Sequence, residues 1–184
     1  MTDVRKPDAV ILCLLAHEPL TGYDIKKRID GAISFFWKRS YGSIYPALSA
    51  MEKDGFITSS EMPQGDRKRI VYSITESGRN ALSEWLKLPA AKNELRYETL
   101  LKLFFGGSAD KDTVTANIDA FERETAEGLA VLKRYRDILG TVADNSDHLC
   151  YLLTVNFGIE TYEAHLKWCE SAKKLIEQQK DRRR

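Results

Sequence analysis

The side chains that suggest chemistry in this sequence are bases and hydroxyl groups, gathered at two places in its N-terminal half. One group contains Lys38, Arg39, Tyr41, Ser43 and Tyr45. The other is the consecutive run Arg67, Lys68 and Arg69. Cations placed against phosphate groups displace condensed counterions, and hydroxyl groups bond to phosphate oxygens or to base edges. Each group alone also matches an ordinary solvated surface, so its meaning depends on the elements that carry it.

Three short helices are predicted around the first group. The apolar run at residues 8–16 predicts a compact, buried helix. Thr21 is placed to cap a second helix over residues 23–29, because its hydroxyl can accept a bond from an otherwise unpaired amide. Ser43 opens the third helix in the same way, and Gly55 supplies the left-handed residue that ends it. The first group of bases and hydroxyls therefore lies before and within the first turn of the third helix.

A β-hairpin and a fourth helix follow. Residues 56–61 and 70–74 are predicted strands, and residues 62–66 are the turn that joins them, with the basic run beside it. Thr75 caps the fourth helix. Helix, helix, helix, hairpin, helix is the order of a winged helix-turn-helix, whose third helix enters the major groove while the hairpin reaches the DNA backbone. We therefore predict a DNA-binding domain over residues 1–88, with both groups in contact with double-stranded DNA.

The remainder of the chain is predicted to be a helical domain over residues 94–180, which makes the fold mainly α. Residues 95–105 form its first helix. Its last helix carries an apolar seam at steps of three and four: Leu152, Val155, Ile159, Tyr162, Leu166 and Cys169. Such a seam is typical of helix–helix packing. A second apolar row on the same helix needs more partners than two neighbouring helices supply, so we predict dimerisation through this helix.

Composition restricts the remaining classes. The formal net charge is +1, so a DNA-binding surface must be local rather than global. No apolar run approaches the roughly 20 residues that span a bilayer, and residues 1–7 lack the apolar core of a signal peptide. The three cysteines are odd in number and far apart in the chain. We expect a reduced, cytoplasmic protein without a membrane partner.

Four motifs in the N-terminal domain are specific when taken together. They are Gly-Tyr-Asp-Ile at 22–25, Ile-Tyr-Pro-x-Leu at 44–48, Glu-Lys-Asp-Gly-Phe-Ile at 52–57 and Tyr-x-Ile-Thr-x-x-Gly at 72–78. Through them the chain resembles the PadR family of bacterial transcriptional regulators over residues 8–88. The pattern at 95–105 resembles the longer branch of that family, whose C-terminal helical domain drives dimerisation.

The resemblance implies a homodimeric transcriptional regulator that binds a roughly palindromic operator. Repression rather than activation is also what the family resemblance implies. It implies DNA contacts through Tyr23, Tyr45 and Pro46 near the third helix, and through Lys68 and Arg69 on the hairpin. Where family members respond to small molecules, the ligand is commonly aromatic. The excess of aromatic residues from position 85 onward motivates the hypothesis of an effector site here, with the candidates Trp85, Arg96, Tyr97, His148, Tyr151 and Trp168.

Two other functional classes were weighed. No nucleophile–base pair, phosphate-binding glycine loop or cofactor motif holds together, so we predict no enzyme, no cofactor and no metal. His165 and Cys169, four apart on one helix face, are permitted geometry for two metal ligands, but no second pair completes a site. The alternative function is a winged-helix protein-interaction module without DNA binding, and retention of the basic run argues against it.

Overall fold

The computed structural model describes residues 6–37, 44–64, 67–91, 96–141 and 146–181. The chain forms two compact units, Met1–Lys92 and Asn93–Arg184. None of the helices within the described ranges combines the length and the apolar character that crossing a membrane requires.

The first unit is a winged helix, as predicted. Its elements in chain order are α1 (Lys6–His17), β1 (Leu20–Thr21), α2 (Gly22–Asp30), a 3-10 helix (Ala32–Phe35), α3 (Ile44–Lys53), β2 (Ile57–Gln64), β3 (Arg67–Ile74) and α4 (Glu76–Lys87). The strands form one antiparallel sheet in the order β1-β3-β2. Strand β1 and the 3-10 helix were not predicted, because segments this short carry no periodic pattern.

One apolar core joins the helices of this unit to the base of its sheet. Its buried members are Ile11, Leu12, Leu15, Leu20, Ile25, Ile29, Ile44, Leu48, Met51, Ile57 and Leu82. Full burial of a Leu or Ile side chain contributes about 1.5–3 kcal/mol. The core therefore fixes which faces of α2 and α3 are turned inward, and by exclusion which faces meet solvent.

The start of α2 is closed by a reciprocal cap, which confirms the prediction for Thr21. Thr21 Oγ1 accepts a hydrogen bond from the Asp24 amide at 3.1 Å, and Asp24 Oδ2 accepts one from the Thr21 amide at 3.3 Å. The hydrogen bond from the Thr21 hydroxyl, more than the nearby charges of Arg69 and Arg28, holds the pKa of the Asp24 carboxyl below its usual value. Thr21 also pairs with Val71 in the sheet. The cap therefore ties the start of α2 to the hairpin.

The end of α3 is set by Gly55, the one described residue with a positive φ (76°). Its amide donates to the Glu52 carbonyl at 3.0 Å, and the amide of Phe56 donates to the Met51 carbonyl at 2.9 Å. These two bonds close the last turn of the helix, as predicted for a glycine stop. The chain therefore turns directly from α3 into β2.

The start of α4 explains the Thr-x-x-Gly part of the fourth motif. Thr75 Oγ1 accepts from the Gly78 amide at 3.1 Å, which confirms Thr75 as the cap, and donates to the Gly55 carbonyl at 2.7 Å. A Cβ atom on Gly78 would lie 2.2 Å from the Phe56 carbonyl oxygen. Only glycine allows α4 to begin against the backbone that ends α3.

The hairpin differs from the prediction at its tip. Residues 62–64, predicted as turn, continue β2, and the register pairs Met62 with Arg69, Pro63 with Lys68 and Gln64 with Arg67. β2 is an edge strand, and a proline is tolerated there because its missing amide takes no bond from the ladder. The basic run, predicted to lie between the turn and the second strand, therefore lies within β3.

The second unit is helical, as predicted. It contains α5 (Glu98–Phe104), a 3-10 helix (Gly106–Ser108), α6 (Lys111–Gly140) and α7 (Ser146–Asp181). The predicted helix over residues 95–105 was wrong at both ends. Residues 96 and 97 precede α5, and the backbone of Tyr97 is extended (φ −113°, ψ 108°), while Phe105 follows its last residue.

Helices α6 and α7 pack along most of their length. The buried residues of the two helices are Ile118, Thr125, Leu129, Leu132, Ile159 and Cys169. A Cβ atom on Gly158 would lie 3.0 Å from Leu132 Cδ1, so the helices are in close contact there. Lys173, the position that the apolar seam skips, has its Nζ 3.2 Å from Asp119 Oδ1 and 2.5 Å from Glu122 Oε2. These ion pairs, half-buried, contribute to the register of the two helices.

Candidate nucleic-acid interface

Tyr45 lies in the first turn of α3 and is 65% exposed. Its ring rests on the first turn of α2, where a Cβ atom on Gly22 would lie 2.7 Å from Tyr45 Cε1. That separation is far inside the roughly 3.5–4.0 Å at which carbon atoms attract. Gly22 therefore leaves the space in which the Tyr45 ring lies, and α2 fixes how α3 presents this phenol to solvent.

The neighbouring residues that the resemblance implicates are also exposed. Tyr23 on α2 is 69% exposed, and Pro46 follows Tyr45 on α3. Two further candidates were missed by the sequence analysis: Ser49, one turn after Tyr45 on the exposed face of α3, and Lys27, one turn after Tyr23 on α2. The signal that could have found them is the spacing of four between exposed helical positions.

Four of the predicted DNA-contacting residues lie outside the described ranges: Lys38, Arg39, Tyr41 and Ser43. They come directly before α3 in the chain, so their predicted DNA contacts stay predictions.

The hairpin divides its basic residues between two faces. Lys68 and Arg69 are both exposed, and because successive residues of a strand point to opposite sides, they do not share a face. Lys68 Nζ lies 2.6 Å from Glu61 Oε2 on the paired strand. The charge of Arg69 is close enough to Asp24, at the start of α2, to lower the pKa of that carboxyl. Arg67 begins β3 opposite Gln64.

A carboxylate joins α3 to the hairpin. Glu52, in the last turn of α3, accepts a hydrogen bond at 3.0 Å from the amide of Ser59 on β2, and a second from the Ser59 hydroxyl through the same oxygen. Hydrogen bonds to a charged acceptor are shorter and stronger than neutral ones. The third helix and the hairpin are therefore held to each other at this end of α3.

The second unit contains a cluster of rings between α6, α7 and the start of α5. Tyr97 Oη lies 3.2 Å from His165 Nε2, and the centroid of His165 is 5.4 Å from that of Phe121 and 6.0 Å from that of Tyr162. Trp168 meets Phe121 edge to face at 6.0 Å. Burial lowers the pKa of His165. The cluster therefore places a largely neutral imidazole among aromatic rings.

The six effector candidates do not form one site within either unit. Tyr97 and Trp168 belong to the ring cluster, whereas His148 and Tyr151 lie 6.4 Å apart near the start of α7. At 1.5 Å per residue, the two groups are separated by about 25 Å along the helix. Trp85 packs against the core of the first unit, and Arg96 is exposed before α5.

The pair considered for a metal is otherwise engaged. His165 bonds to Tyr97, and Cys169 is fully buried, with burial as the largest cause that raises the pKa of its thiol. A thiol ligates metal as the thiolate, which this environment disfavours. No cluster of three or more metal-ligating side chains occurs in the part of the chain that the structure describes.

The predicted dimerisation seam faces α6 in part. Ile159 and Cys169 are buried within a single chain, and the other four members, Leu152, Val155, Tyr162 and Leu166, are half-buried. The second row is more open, because Leu149, Leu153 and Leu175 are exposed and Trp168 is half-buried. Tyr151 and Phe157 on α7 are also exposed, and so are Leu100, Leu101, Phe104 and Phe105 of α5 and the residue after it.

Two family models match the chain, one on each unit. The model described as "Transcriptional regulator PadR-like family" matches residues 11–84, and the model described as "Virulence activator alpha C-term" matches residues 95–177.

Solved structures are similar to the chain over almost its whole length. Smu.1604c from Streptococcus mutans UA159 is 27% identical, covers 91% of this chain and 98% of its own, and has a TM-score of 0.82. The PadR-like transcriptional regulator BC1756 from Bacillus cereus is 27% identical, with coverages of 95% and 98% and a TM-score of 0.80.

A third similar protein has been solved with ligands. Bacillus subtilis PadR in complex with operator DNA is 26% identical, with coverages of 94% and 99% and a TM-score of 0.77. Its complex with p-coumaric acid has the same coverages, 25% identity and a TM-score of 0.73. The B. subtilis negative transcriptional regulator PadR is 24% identical over 91% of this chain and 95% of its own length.

The contact between Gly22 and Tyr45 yields a first prediction. Gly22→Ala forces the exposed Tyr45 ring off α2. Because the ring can turn toward solvent, we expect DNA affinity to fall, while the lost ring contact offsets the gain of about 1 kcal/mol that alanine, the better helix former, contributes to the free energy of unfolding. In a Tyr45→Ala background the clash is absent, and the same substitution is expected to be more stabilising. Thermal unfolding of the four proteins measures this cycle. An equal change of stability in both backgrounds would contradict the contact.

The burial of His165 yields a prediction on pH. Because the folded-state pKa lies below the ordinary value of 6.5, the unfolded chain binds more protons on acidification. The contribution of His165 to stability is therefore present above pH 6.5 and is lost as the pH falls through the folded-state pKa. We expect the Tm to fall between pH 7.5 and 5.5, and to fall less in His165→Gln. Parallel curves for the two proteins would show that burial of this imidazole has no such effect.

Proposed function

The chain belongs to the PadR-like family of transcriptional regulators, as its motifs predicted, and we propose that it is a dimeric cytoplasmic repressor whose operator binding is relieved by a small aromatic molecule. Its family and its relatives are regulators rather than enzymes, which confirms that expectation. The likeness to a structure with operator DNA supports α3 as the recognition helix. The name of the B. subtilis relative, a negative regulator, supports repression.

The observation that carries the proposal is the fixed presentation of Tyr45. Gly22 lies under its ring, while the core residues of α3 and the bond from Glu52 to the hairpin fix the helix that carries it. A recognition side chain held in one orientation loses little conformational entropy on binding. In this proposal Tyr45, Pro46 and Ser49 meet the major groove, Tyr23 and Lys27 meet phosphates beside it, and the residues before α3 continue the surface.

The proposal of a homodimer follows from the apolar residues that the second unit leaves exposed. Phe104 and Phe105 are 83% and 71% exposed, and Leu153 and Phe157 on α7 exceed 60%. Soluble monomers rarely expose large contiguous apolar patches, and a winged helix reads two half-sites when it is paired by a two-fold axis. A second copy is proposed to cover Leu153 and Phe157 on α7. It is not proposed to cover Ile159 or Cys169, which are already buried within one chain.

The proposal of an aromatic effector rests on the ring cluster and on the p-coumaric acid complex of the B. subtilis relative. Tyr97, His165 and Trp168 offer edge-to-face surfaces and one imidazole nitrogen. We propose that the dimer has two conformations that differ in the spacing of its recognition helices. A ligand shifts the equilibrium between them only by the difference in its affinity for the two conformations. We propose that the ligand prefers the spacing that does not match successive major grooves.

The function is tested by fluorescence anisotropy with a labelled duplex from upstream of the protein's own gene and an unrelated duplex of equal length. We expect tight, salt-sensitive binding that prefers the upstream duplex. Tyr45→Ala is expected to weaken operator binding by about ten-fold, the low end of what a specific contact contributes. Leu86→Ala, an equally exposed residue of α4, serves as the control.

Equal, weak binding of both duplexes by the folded wild-type protein, with no change in Tyr45→Ala, would contradict the proposed function. That result would instead favour a winged-helix module that docks on another protein.

A further inference from the structure

Strand β2 carries a carboxylate beside a lysine of the hairpin that is proposed to face DNA. Glu61 pairs with Ile70 in the register, and Lys68 lies two residues from Ile70 on the same strand face. This diagonal arrangement is within reach of long side chains. Lys68 Nζ donates to Glu61 Oε2 at 2.6 Å, and both side chains are mainly exposed, 76% and 62%. Lys68, which the family resemblance assigns to contact with the DNA backbone, is therefore already bonded to the Glu61 carboxylate.

The exposure of this pair argues against a purely structural role. An ion pair between solvent-exposed side chains contributes little to folding, with a median of about 0–1 kcal/mol. Glu61 and Lys68 lie toward the tip of the hairpin, beyond the buried base formed by Ile57 and Val71. We therefore expect the ion pair to affect the binding of other anions to Lys68 rather than the stability of the fold.

A phosphate oxygen is the obvious competitor, because it offers Lys68 the same chemistry as the Glu61 carboxylate. For Lys68 to contact DNA, its ammonium must be shared between Glu61 and a phosphate or released from Glu61, and in either case a carboxylate is left beside a phosphate. On the opposite face of the strand, Arg69 lies near the Asp24 carboxyl. Lys68 and Arg69 thus each have an acidic neighbour in the same domain, which restrains sequence-independent attraction to DNA.

We propose that Glu61 is an affinity-setting residue that competes with DNA phosphate for Lys68. This inference rests on the proposed function, since it requires the hairpin to meet DNA. Phosphate contacts carry no sequence information. Glu61 therefore lowers affinity for every duplex by the same factor and leaves discrimination to α3.

The test measures DNA affinity at about 0.15 M salt, where charges more than about 8 Å apart are screened. Glu61→Gln removes the charge and keeps the shape. We expect it to tighten binding to the upstream and unrelated duplexes equally, by about two- to five-fold, the range of an exposed ion pair. In a Lys68→Gln background the same substitution is expected to change affinity by much less.

The matched control is Glu84→Gln on α4. Glu84 Oε1 lies 2.6 Å from Lys87 Nζ, and the two side chains are 65% and 67% exposed. This substitution changes the net charge equally but leaves the hairpin intact, so it is expected to leave affinity unchanged. A gain equal to that of Glu61→Gln would show a general charge effect and overturn the proposal.

Other outcomes are also decisive. If Glu61→Gln tightens binding as much in the Lys68→Gln background as alone, Glu61 acts by direct repulsion rather than through Lys68. If it weakens binding to the upstream duplex only, Glu61 reads a base, and the proposal is wrong in sign. A wild-type protein that prefers the upstream duplex while Glu61→Gln behaves as wild type overturns this inference alone. A wild-type protein without that preference overturns the proposed function, and this inference with it.

Discussion

The surface that we propose to face DNA depends on two adjacent residues, Thr21 and Gly22, because three elements meet there. Thr21 is paired with Val71 in the sheet and caps α2 through Asp24. Gly22 carries no side chain, which allows the Tyr45 ring of α3 to lie on the first turn of α2. The hairpin, α2 and α3 are thus positioned from one point. A side chain at position 22 would require the Tyr45 ring to move away from α2.

This junction makes the Gly-Tyr-Asp-Ile and Ile-Tyr-Pro-x-Leu motifs parts of one arrangement. The first motif supplies Gly22, which has no side chain, the exposed Tyr23, the capping residue Asp24 and the core residue Ile25. The second supplies the ring that lies on Gly22 and the core residues behind it. The Thr-x-x-Gly motif is also steric, since Gly78 admits the Phe56 carbonyl. The motifs that indicate the family are therefore those that fix the angles between its elements.

The features that depend on interactions within a few residues were predictable from the sequence. Thr21 and Thr75 were found as caps because a hydroxyl before an apolar helix has one good use, and Gly55 as a stop because a left-handed residue is required there. The fold class followed from the order of elements. The errors arose where partners distant in sequence decide. Pro63 is tolerated in β2 because that strand is at the edge of the sheet. Tyr97, which was predicted to be helical, lies before α5 and is hydrogen-bonded to His165.

The candidate sites were less predictable than the fold for the same reason. The pairing of Lys68 with Glu61 depends on strand register, which the misplaced turn concealed. The contact of Tyr97 with His165 joins residues 68 apart in the chain, so no periodic pattern reports it. Ile159 and Cys169 lie on the predicted seam, but the seam does not say whether α6 or a second copy covers it. The structure assigns these two to α6 and leaves Leu153 and Phe157 of α7 exposed, and we propose that a second copy covers them.

We propose that two α3 helices, paired through the second unit, read neighbouring major grooves of an operator. Hydroxyl-radical footprinting on the upstream duplex tests this proposal. We expect two protected patches separated by one helical turn, roughly 10 base pairs, or a multiple of it. Both patches should appear together as the protein is titrated and should disappear together when an aromatic effector is added. A single protected patch at every protein concentration would contradict the account.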